Sequence, residues 1–200
     1  MASKSYDLVV IGGGSAGLTA AKFASQTLKK SCLLIEGQAL GGDCTWTGCV
    51  PSKSLLASAK AAQLVRQQLT SSSEAGTTTT IDWPQVQQRY RQIQQEIYDK
   101  DDSPEALAKL NIETMVGRAT LTSSRTISVQ GKADSKDTTV QAKQGIILCT
   151  GATPKPAATI IPGLDTVNYM TYEDVWDMKE LPKRLTVVGG GPVGITRWLF

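Results

Sequence analysis

Short apolar runs, a glycine cluster and a helix-forming stretch succeed one another over residues 1–36. Residues 7–11 and 31–36 are apolar runs of the kind found in parallel strands that are buried on both faces. Three consecutive glycines follow the first run, and residues 15–30 are rich in alanine and leucine, which favour helix. The order strand, glycine turn, helix, strand predicts a βαβ unit.

Polar loops and helix-forming stretches then alternate as far as residue 110. Residues 37–48, with recurring glycines, predict a loop, and the Ser/Thr-rich residues 70–80 predict an exposed loop. Helices are predicted over residues 51–69, 82–99 and 103–110. Pro51 suits the first turn of its helix, because a proline there lacks only an N–H that has no helical partner.

Strand patterns return after residue 112, where short runs are bounded by turn residues. Short strands are predicted over residues 114–116, 117–121, 125–130 and 138–142. Two further apolar runs, 145–151 and 184–188, predict buried strands, each of which ends in glycine. The second of them enters another glycine cluster at residues 189–194, and prolines between the two interrupt regular structure.

Composition narrows the function classes. A chain of 200 residues with 40% hydrophobic and 20% charged residues is ordinary for a globular protein. The net charge of +3 is small and the basic residues are scattered, which argues against a nucleic-acid surface. Neither a signal peptide nor an apolar run of about 18 residues is apparent, which predicts a soluble, cytoplasmic protein with no membrane partner. The chain has no histidine, so any histidine base would have to come from elsewhere.

The first glycine cluster has the spacing Gly12-x-Gly14-x-x-Gly17 of a dinucleotide-binding turn. In such a turn the first glycine allows the sharp bend, the second admits a pyrophosphate, and the third lets helix and strand pack closely. Glu36 ends the next predicted strand, where an acid can accept hydrogen bonds from ribose hydroxyls. The context of strand and helix makes a purely structural turn the weaker interpretation.

The second motif is a pair of cysteines, Cys44 and Cys49, at the entrance to a predicted helix. A pair at this spacing can close a small disulfide, and the helix dipole is expected to hold the pKa of Cys49 below about 8.5. An inert buried pair and a metal–thiolate site are the alternatives, and the lack of histidine disfavours the latter. Cys32 and Cys149 lie inside apolar runs and are expected to be core residues.

Residues 41–53 resemble the signature of the class I pyridine nucleotide–disulfide oxidoreductases, the family of glutathione reductase, dihydrolipoamide dehydrogenase and mercuric reductase. The segment Gly-Gly-Asp-Cys-Thr-Trp-Thr-Gly-Cys most resembles that of the mercuric-reductase-like branch. The resemblance implies an α/β fold: a Rossmann-like FAD-binding domain over residues 1–182, with inserted helices and a small antiparallel β element. Residues 183–200 would be the first strand and turn of a second, NAD(P)-binding domain.

The resemblance also implies an electron path, from NAD(P)H to FAD, then to the Cys44–Cys49 disulfide, and on to a small-molecule or disulfide substrate. Cys49 would contact the flavin, Cys44 would attack the substrate, and Lys53 would lie beside the flavin N5 edge. The residues implied to line the FAD are Gly12, Gly14, Ser15, Ala16, Gly17, Glu36, Gly42, Asp43, Lys53, Arg118, Ala119, Thr150 and Gly151.

The sequence departs from the family after the second glycine cluster. An acid that pairs with the flavin lysine is expected there, but Thr196 occupies its place. The chain is therefore expected to be an N-terminal fragment, without the dimerisation domain through which the full-length homodimer shares a histidine–glutamate base. An FAD-binding module without turnover of its own is the alternative to an active enzyme.

Overall fold

A computed structural model describes residues 4–71, 81–131, 137–153, 155 and 160–194. The chain divides into two compact units, one formed by residues 1–44 and 96–154 and the other by residues 45–95 and 155–200.

A six-stranded sheet is the centre of the first unit. Its strands are β1 Lys4–Ile11, β2 Cys32–Glu36, β3 Ile112–Val116, β4 Arg118–Leu121, β5 Thr126–Gln130 and β6 Thr138–Leu148. The order is β3-β2-β1-β6-β5-β4. The first four strands in this order, from β3 to β6, pair in parallel. Strand β5 pairs antiparallel with both β6 and β4. The parallel sheet and the small antiparallel element of the predicted fold are both confirmed.

Two apolar layers cover the parallel strands. On one face, side chains of β1 and β2 pack against those of β5 and β6, with Val9, Leu33, Ile127 and Val140 fully buried. The antiparallel element therefore folds over that face. On the other face, Leu34 and Ile112 pack with side chains of the helices described next. Burial on both faces explains why residues 8–11 of β1 and 32–35 of β2 are continuously apolar in the sequence.

The helices of the first unit follow their sequence signals. Helix α1 spans Ser15–Gln26, and α5 spans Pro104–Lys109. Ser103 caps α5, because its Oγ accepts a hydrogen bond from the Ala106 N–H at 3.1 Å. A π-helical turn, Tyr98–Asp102, precedes this cap.

The second unit is mainly helical. Helix α3 spans Cys49–Ser71, and α4 spans Trp83–Ile97, whose last two residues belong to the first unit. Two 3₁₀ turns follow at Leu164–Thr166 and Val175–Asp177. The core of this unit consists of the buried side chains of Leu55, Trp83, Tyr90 and Trp176. In the helices of the described ranges, no stretch combines the length and apolar character needed to cross a membrane.

Three predictions about elements were wrong. Residues 37–48 are not all loop, because they contain the short helix α2, Gly42–Trp46. The strands predicted over 138–142 and 145–151 are one strand, β6, and its end is not buried, since Leu148 is 60% exposed. Strand β6 is continuous because it pairs along its length with β1.

The buried strand predicted over residues 184–188 was also wrong. These residues form no strand, and Val188 is 71% exposed. A strand needs a neighbour for its backbone N–H and C=O groups, and no strand of the described residues pairs with this run. Most of the loop predicted over 70–80 lies outside the described residues, as does Thr196.

Candidate functional site

The first glycine cluster forms a tight turn between β1 and α1. Gly12 has a φ of +106°, and a Cβ placed on it would lie 2.1 Å from the Cys149 carbonyl oxygen. A Cβ on Gly17 would lie 1.7 Å from the Gly12 carbonyl oxygen. Both neighbours are backbone atoms that cannot move away cheaply, so these two positions require glycine. The roles expected of Gly12 and Gly17, a sharp bend and close helix–strand packing, agree with this geometry.

Gly14 lies close to the backbone of a second glycine, Gly42. A Cβ on Gly14 would meet only the Gly42 Cα, at 3.9 Å. Gly42 has a φ of +56°, and its own Cβ would lie 2.7 Å from the Gly14 Cα. Ser15 and Ala16, in the exposed first turn of α1, follow immediately. The helix N-terminus presents unpaired N–H groups here, and a glycine surface lets a pyrophosphate reach them, so the geometry fits this part of a dinucleotide.

Glu36 is tied to the turn at the end of β2. Its Oε2 accepts a hydrogen bond from the Gly13 N–H at 2.5 Å, and its Oε1 accepts one from the Gln38 N–H at 2.7 Å. Each carboxylate oxygen can accept a further hydrogen bond. Glu36 therefore braces the glycine turn and still has the capacity to accept from ribose hydroxyls.

Thr150 and Gly151 follow β6 directly beside this turn. The Cys149 N–H donates to the Ile11 carbonyl at 2.7 Å, and the Thr150 nitrogen would lie 3.1 Å from a Cβ on Gly12. Gly151 has a φ of +68°, and nothing lies within 4 Å of its ideal Cβ. The backbone conformation, and not crowding, therefore favours glycine at this position.

Arg118 and Ala119 lie at the start of β4, where they pair with Gln130 and Val129 of β5. Arg118 is exposed and Ala119 half-buried. Asp43 is exposed in α2. The first unit therefore contains every predicted FAD-lining residue except Lys53.

The redox motif is distributed over both units. Cys44 is half-buried in α2, at the end of the first segment of the first unit. Cys49 is exposed and begins α3 in the second unit, with Lys53 exposed one helical turn later. The four cysteines form no disulfide in this structure, and the disulfide expected of the oxidised protein stays a prediction.

Cys32 is the core residue that the sequence predicted. Its side chain is 2% exposed, and burial raises the pKa of its thiol to about 11. Cys149 is half-buried, packed against the apolar layer that contains Cys32. Within the described residues, no group of three or more His, Cys, Asp or Glu side chains is arranged to hold a metal ion.

Sequence reasoning missed two side chains that contact the segment between the redox cysteines. Gln94 of α4 donates to the carbonyls of Thr45 and Trp46, and the Trp176 indole donates to the Thr47 carbonyl. No spacing or motif indicates these contacts, because Trp176 is 129 positions from Thr47.

The second glycine cluster repeats the geometry of the first. Gly189 has a φ of +107°, and a Cβ on Gly194 would lie 2.1 Å from the Gly189 carbonyl oxygen. The turn is therefore formed, although the preceding residues 184–188 are not a strand.

Comparison with known proteins agrees with these features. The family model described as pyridine nucleotide-disulphide oxidoreductase matches residues 6–196. The dihydrolipoyl dehydrogenase of Chlorobaculum parvum is 33% identical over 99% of this chain and 41% of its own length. The mercuric reductase of Streptomyces lividans is 32% identical over 95% of this chain and 39% of its own length. These identities do not separate the two kinds of enzyme.

A solved structure has the same fold. It is the Cu(II) complex of the HOCl-induced flavoprotein disulfide reductase RclA from Escherichia coli, with a TM-score of 0.71 and 24% identity. The superposition covers 98% of this chain and 39% of that one. The chain thus spans about two fifths of the length of its relatives. The match over residues 6–196 shows that the chain belongs to the pyridine nucleotide-disulphide oxidoreductase family.

Proposed function

We propose that this chain binds FAD and forms the flavin and disulfide part of an oxidoreductase that transfers electrons from NAD(P)H to the Cys44–Cys49 pair. The observation that carries the proposal is the glycine turn, where Gly14 and Gly42 place backbone without side chains beside the N-terminus of α1. Glu36 lies at the same turn, with acceptor capacity for a ribose.

The first unit would hold the cofactor through its backbone. The N–H groups of the first turn of α1 would bind the pyrophosphate, and the helix dipole favours its negative charge. Glu36 would accept from the ribose, and Thr150 and Gly151 lie beside the turn for further contacts. Bound FAD would supply a two-electron carrier between NAD(P)H and the cysteines.

The cysteines would carry the reaction on to the substrate. Two electrons and two protons convert the Cys44–Cys49 disulfide to two thiols. One thiolate, that of Cys44, would then attack the substrate, and re-formation of the disulfide would release the reduced product. Lys53, one helical turn beyond Cys49, would place its ammonium group near the flavin. The substrate would be a small molecule or a disulfide, and the longer relatives would act as homodimers.

Flavin content tests the cofactor site. Replacement Gly14→Val places a branched side chain where the pyrophosphate must meet backbone, so the variant should purify with less than about a tenth of the parent's flavin. Gly190→Val is the control, because its Cβ would meet nothing within 4 Å and it belongs to the other glycine cluster. If Gly14→Val retained as much flavin as the parent while staying folded, the proposed FAD site would be wrong.

An FAD-binding module without turnover is the second candidate. It is favoured by residues 184–188, which are exposed apart from the half-buried Val187 and pair with no described strand, so no described strand precedes the second glycine turn. Mixing with NADPH separates the two candidates, and that experiment is described in the Discussion.

A further inference from the structure

The four residues between the redox cysteines comprise the end of one helix and its junction with the next. Helix α2 ends at Trp46, and α3 begins at Cys49. The last carbonyl groups of a helix have no partner within it and need donors from elsewhere.

Two buried side chains donate hydrogen bonds to carbonyl groups of this segment. The Gln94 amide donates to the Thr45 carbonyl at 2.9 Å and to the Trp46 carbonyl at 2.7 Å. The Trp176 indole N–H donates to the Thr47 carbonyl at 2.8 Å. Three consecutive carbonyl groups are therefore held by two side chains, which are only 6% and 5% exposed.

The Trp176 side chain is itself held in place. Trp176 packs edge-on against Tyr90, with ring centroids 5.6 Å apart and an interplanar angle of 67°. The Tyr90 hydroxyl donates to the Trp176 carbonyl at 2.6 Å, and the Gln87 amide donates to the same carbonyl at 3.1 Å. Gln94 lies one helical turn after Tyr90 on the same helix, α4.

We propose that Gln94 and Trp176 are positioning residues that tune the redox equilibrium of Cys44 and Cys49 by fixing the backbone between them. This inference rests on the proposed function of that pair. A disulfide forms only when its two Cα atoms are held about 4.4–6.8 Å apart. A segment whose backbone is already fixed loses little conformational entropy when the disulfide forms. A segment that has been loosened has more conformational entropy in the dithiol state than in the disulfide state, so loosening shifts the equilibrium towards the dithiol.

The experiment uses two variants that remove only the donors. Trp176→Phe retains an aromatic ring against Tyr90 but lacks the N–H, and Gln94→Met retains the length of the side chain without its amide. Trp83→Phe is the matched control, because the Trp83 indole lies in the same cluster and donates to the Met178 carbonyl at 2.8 Å. Each protein is equilibrated in glutathione redox buffers, and the Cys44–Cys49 disulfide is quantified by mass spectrometry after alkylation.

Fixing the backbone of one residue corresponds to a factor of about ten in an equilibrium constant. Trp176→Phe and Gln94→Met should each lower the equilibrium constant for disulfide formation by about tenfold, with the control within about twofold of the parent. Equal constants for the parent and both variants, or an equal shift in Trp83→Phe, would overturn the proposal.

Failure of the underlying function gives a different result. If the parent forms no Cys44–Cys49 disulfide in any buffer, both the proposed function and this inference fall. Thermal unfolding followed by circular dichroism shows whether each variant is folded. If one variant is unfolded, the other decides; if both are unfolded while the control is folded, the two residues are structural and the tuning role is wrong.

Discussion

At the scale of single residues, two glycines of the same turn have very different room for a methyl group. A Cβ on Gly17 would overlap the Gly12 carbonyl oxygen at 1.7 Å, whereas one on Gly14 would meet only the Gly42 Cα at 3.9 Å. Gly14 also has a φ of −79°, which any residue adopts. Overpacking against rigid backbone costs about 1–3 kcal/mol or more.

Gly17→Ala should therefore lower the free energy of unfolding by at least about 2 kcal/mol, while Gly14→Ala should change it by less than about 0.5 kcal/mol. Urea unfolding of the two variants and the parent measures the difference. Equal stabilities of the two variants would mean that the close contact between α1 and the turn is relieved at no cost.

The four thiols should differ sharply in reactivity. Cys32 is 2% exposed and burial raises its pKa from 9.0 to about 11, so at pH 8 it should resist iodoacetamide in the folded protein. Cys49 is exposed and should react at least about a hundredfold faster, since the thiolate is the nucleophile. Mass spectrometry of peptides after timed alkylation measures both rates, and comparable rates would contradict the burial of Cys32.

The same raised pKa predicts a loss of stability in alkali. The folded state holds the Cys32 proton more tightly than the unfolded state, so the unfolded chain ionises first as pH rises. This contribution is fully present below about pH 9 and is lost as pH rises through about 11. Burial also raises the pKa of Tyr6, which acts in the same direction at higher pH. A Cys32→Ala variant should show a shallower decline of the free energy of unfolding between these pH values.

At the scale of elements, the junction of α2 and α3 is where the redox pair is placed. Cys44 lies within α2 and Cys49 starts α3, with four residues between them in the chain. Mild reduction of the oxidised protein should release two thiols, while Cys32 and Cys149 stay unchanged. Counting with a thiol reagent before and after reduction measures this number.

A Cys49→Ser variant should release none on reduction, and Cys149→Ser, away from the junction in sequence, should still release two. Four titratable thiols in the fully oxidised parent, counted after unfolding, would show that no disulfide forms.

At the scale of the whole molecule, flavin binding and reduction by NAD(P)H are separable. The glycine turn of the first unit is backed by a complete sheet, whereas the turn at Gly189 and Gly194 follows an exposed run without a strand. Hydride transfer requires the nicotinamide in near-attack geometry, and such positioning supplies roughly 7–11 kcal/mol of the barrier. The chain also has no histidine to serve as a proton donor.

The 200-residue chain should therefore bind FAD but show no fast reduction by NADPH. Stopped-flow mixing with NADPH, followed at the flavin absorption band, measures the rate of flavin reduction. Dithionite is the control, because it reduces any bound flavin. Bleaching by NADPH on the millisecond scale would contradict the prediction and favour an active enzyme.

The amino-acid sequence alone determined the βαβ unit and the glycine turn within it. The spacing of Gly12, Gly14 and Gly17 and the acid at Glu36 are local features, because a turn and the strand end beside it depend on nearby residues. The cap at Ser103 is local in the same way. The turn has the conformation that the spacing requires, and a helix begins after Ser103 as predicted, whereas the ribose-binding role of Glu36 stays a prediction.

Tertiary structure decided what depends on partners distant in the chain. Residues 145–148 and 184–188 are similar apolar runs, yet only the first is a strand, because β1 offers it a pairing edge. The contacts of Gln94 and Trp176 with the redox segment join positions 48 to 129 apart. A side chain that donates to a backbone carbonyl leaves no periodicity or motif, since any residue type can supply the carbonyl. Such contacts become visible only when packing has brought the segments together.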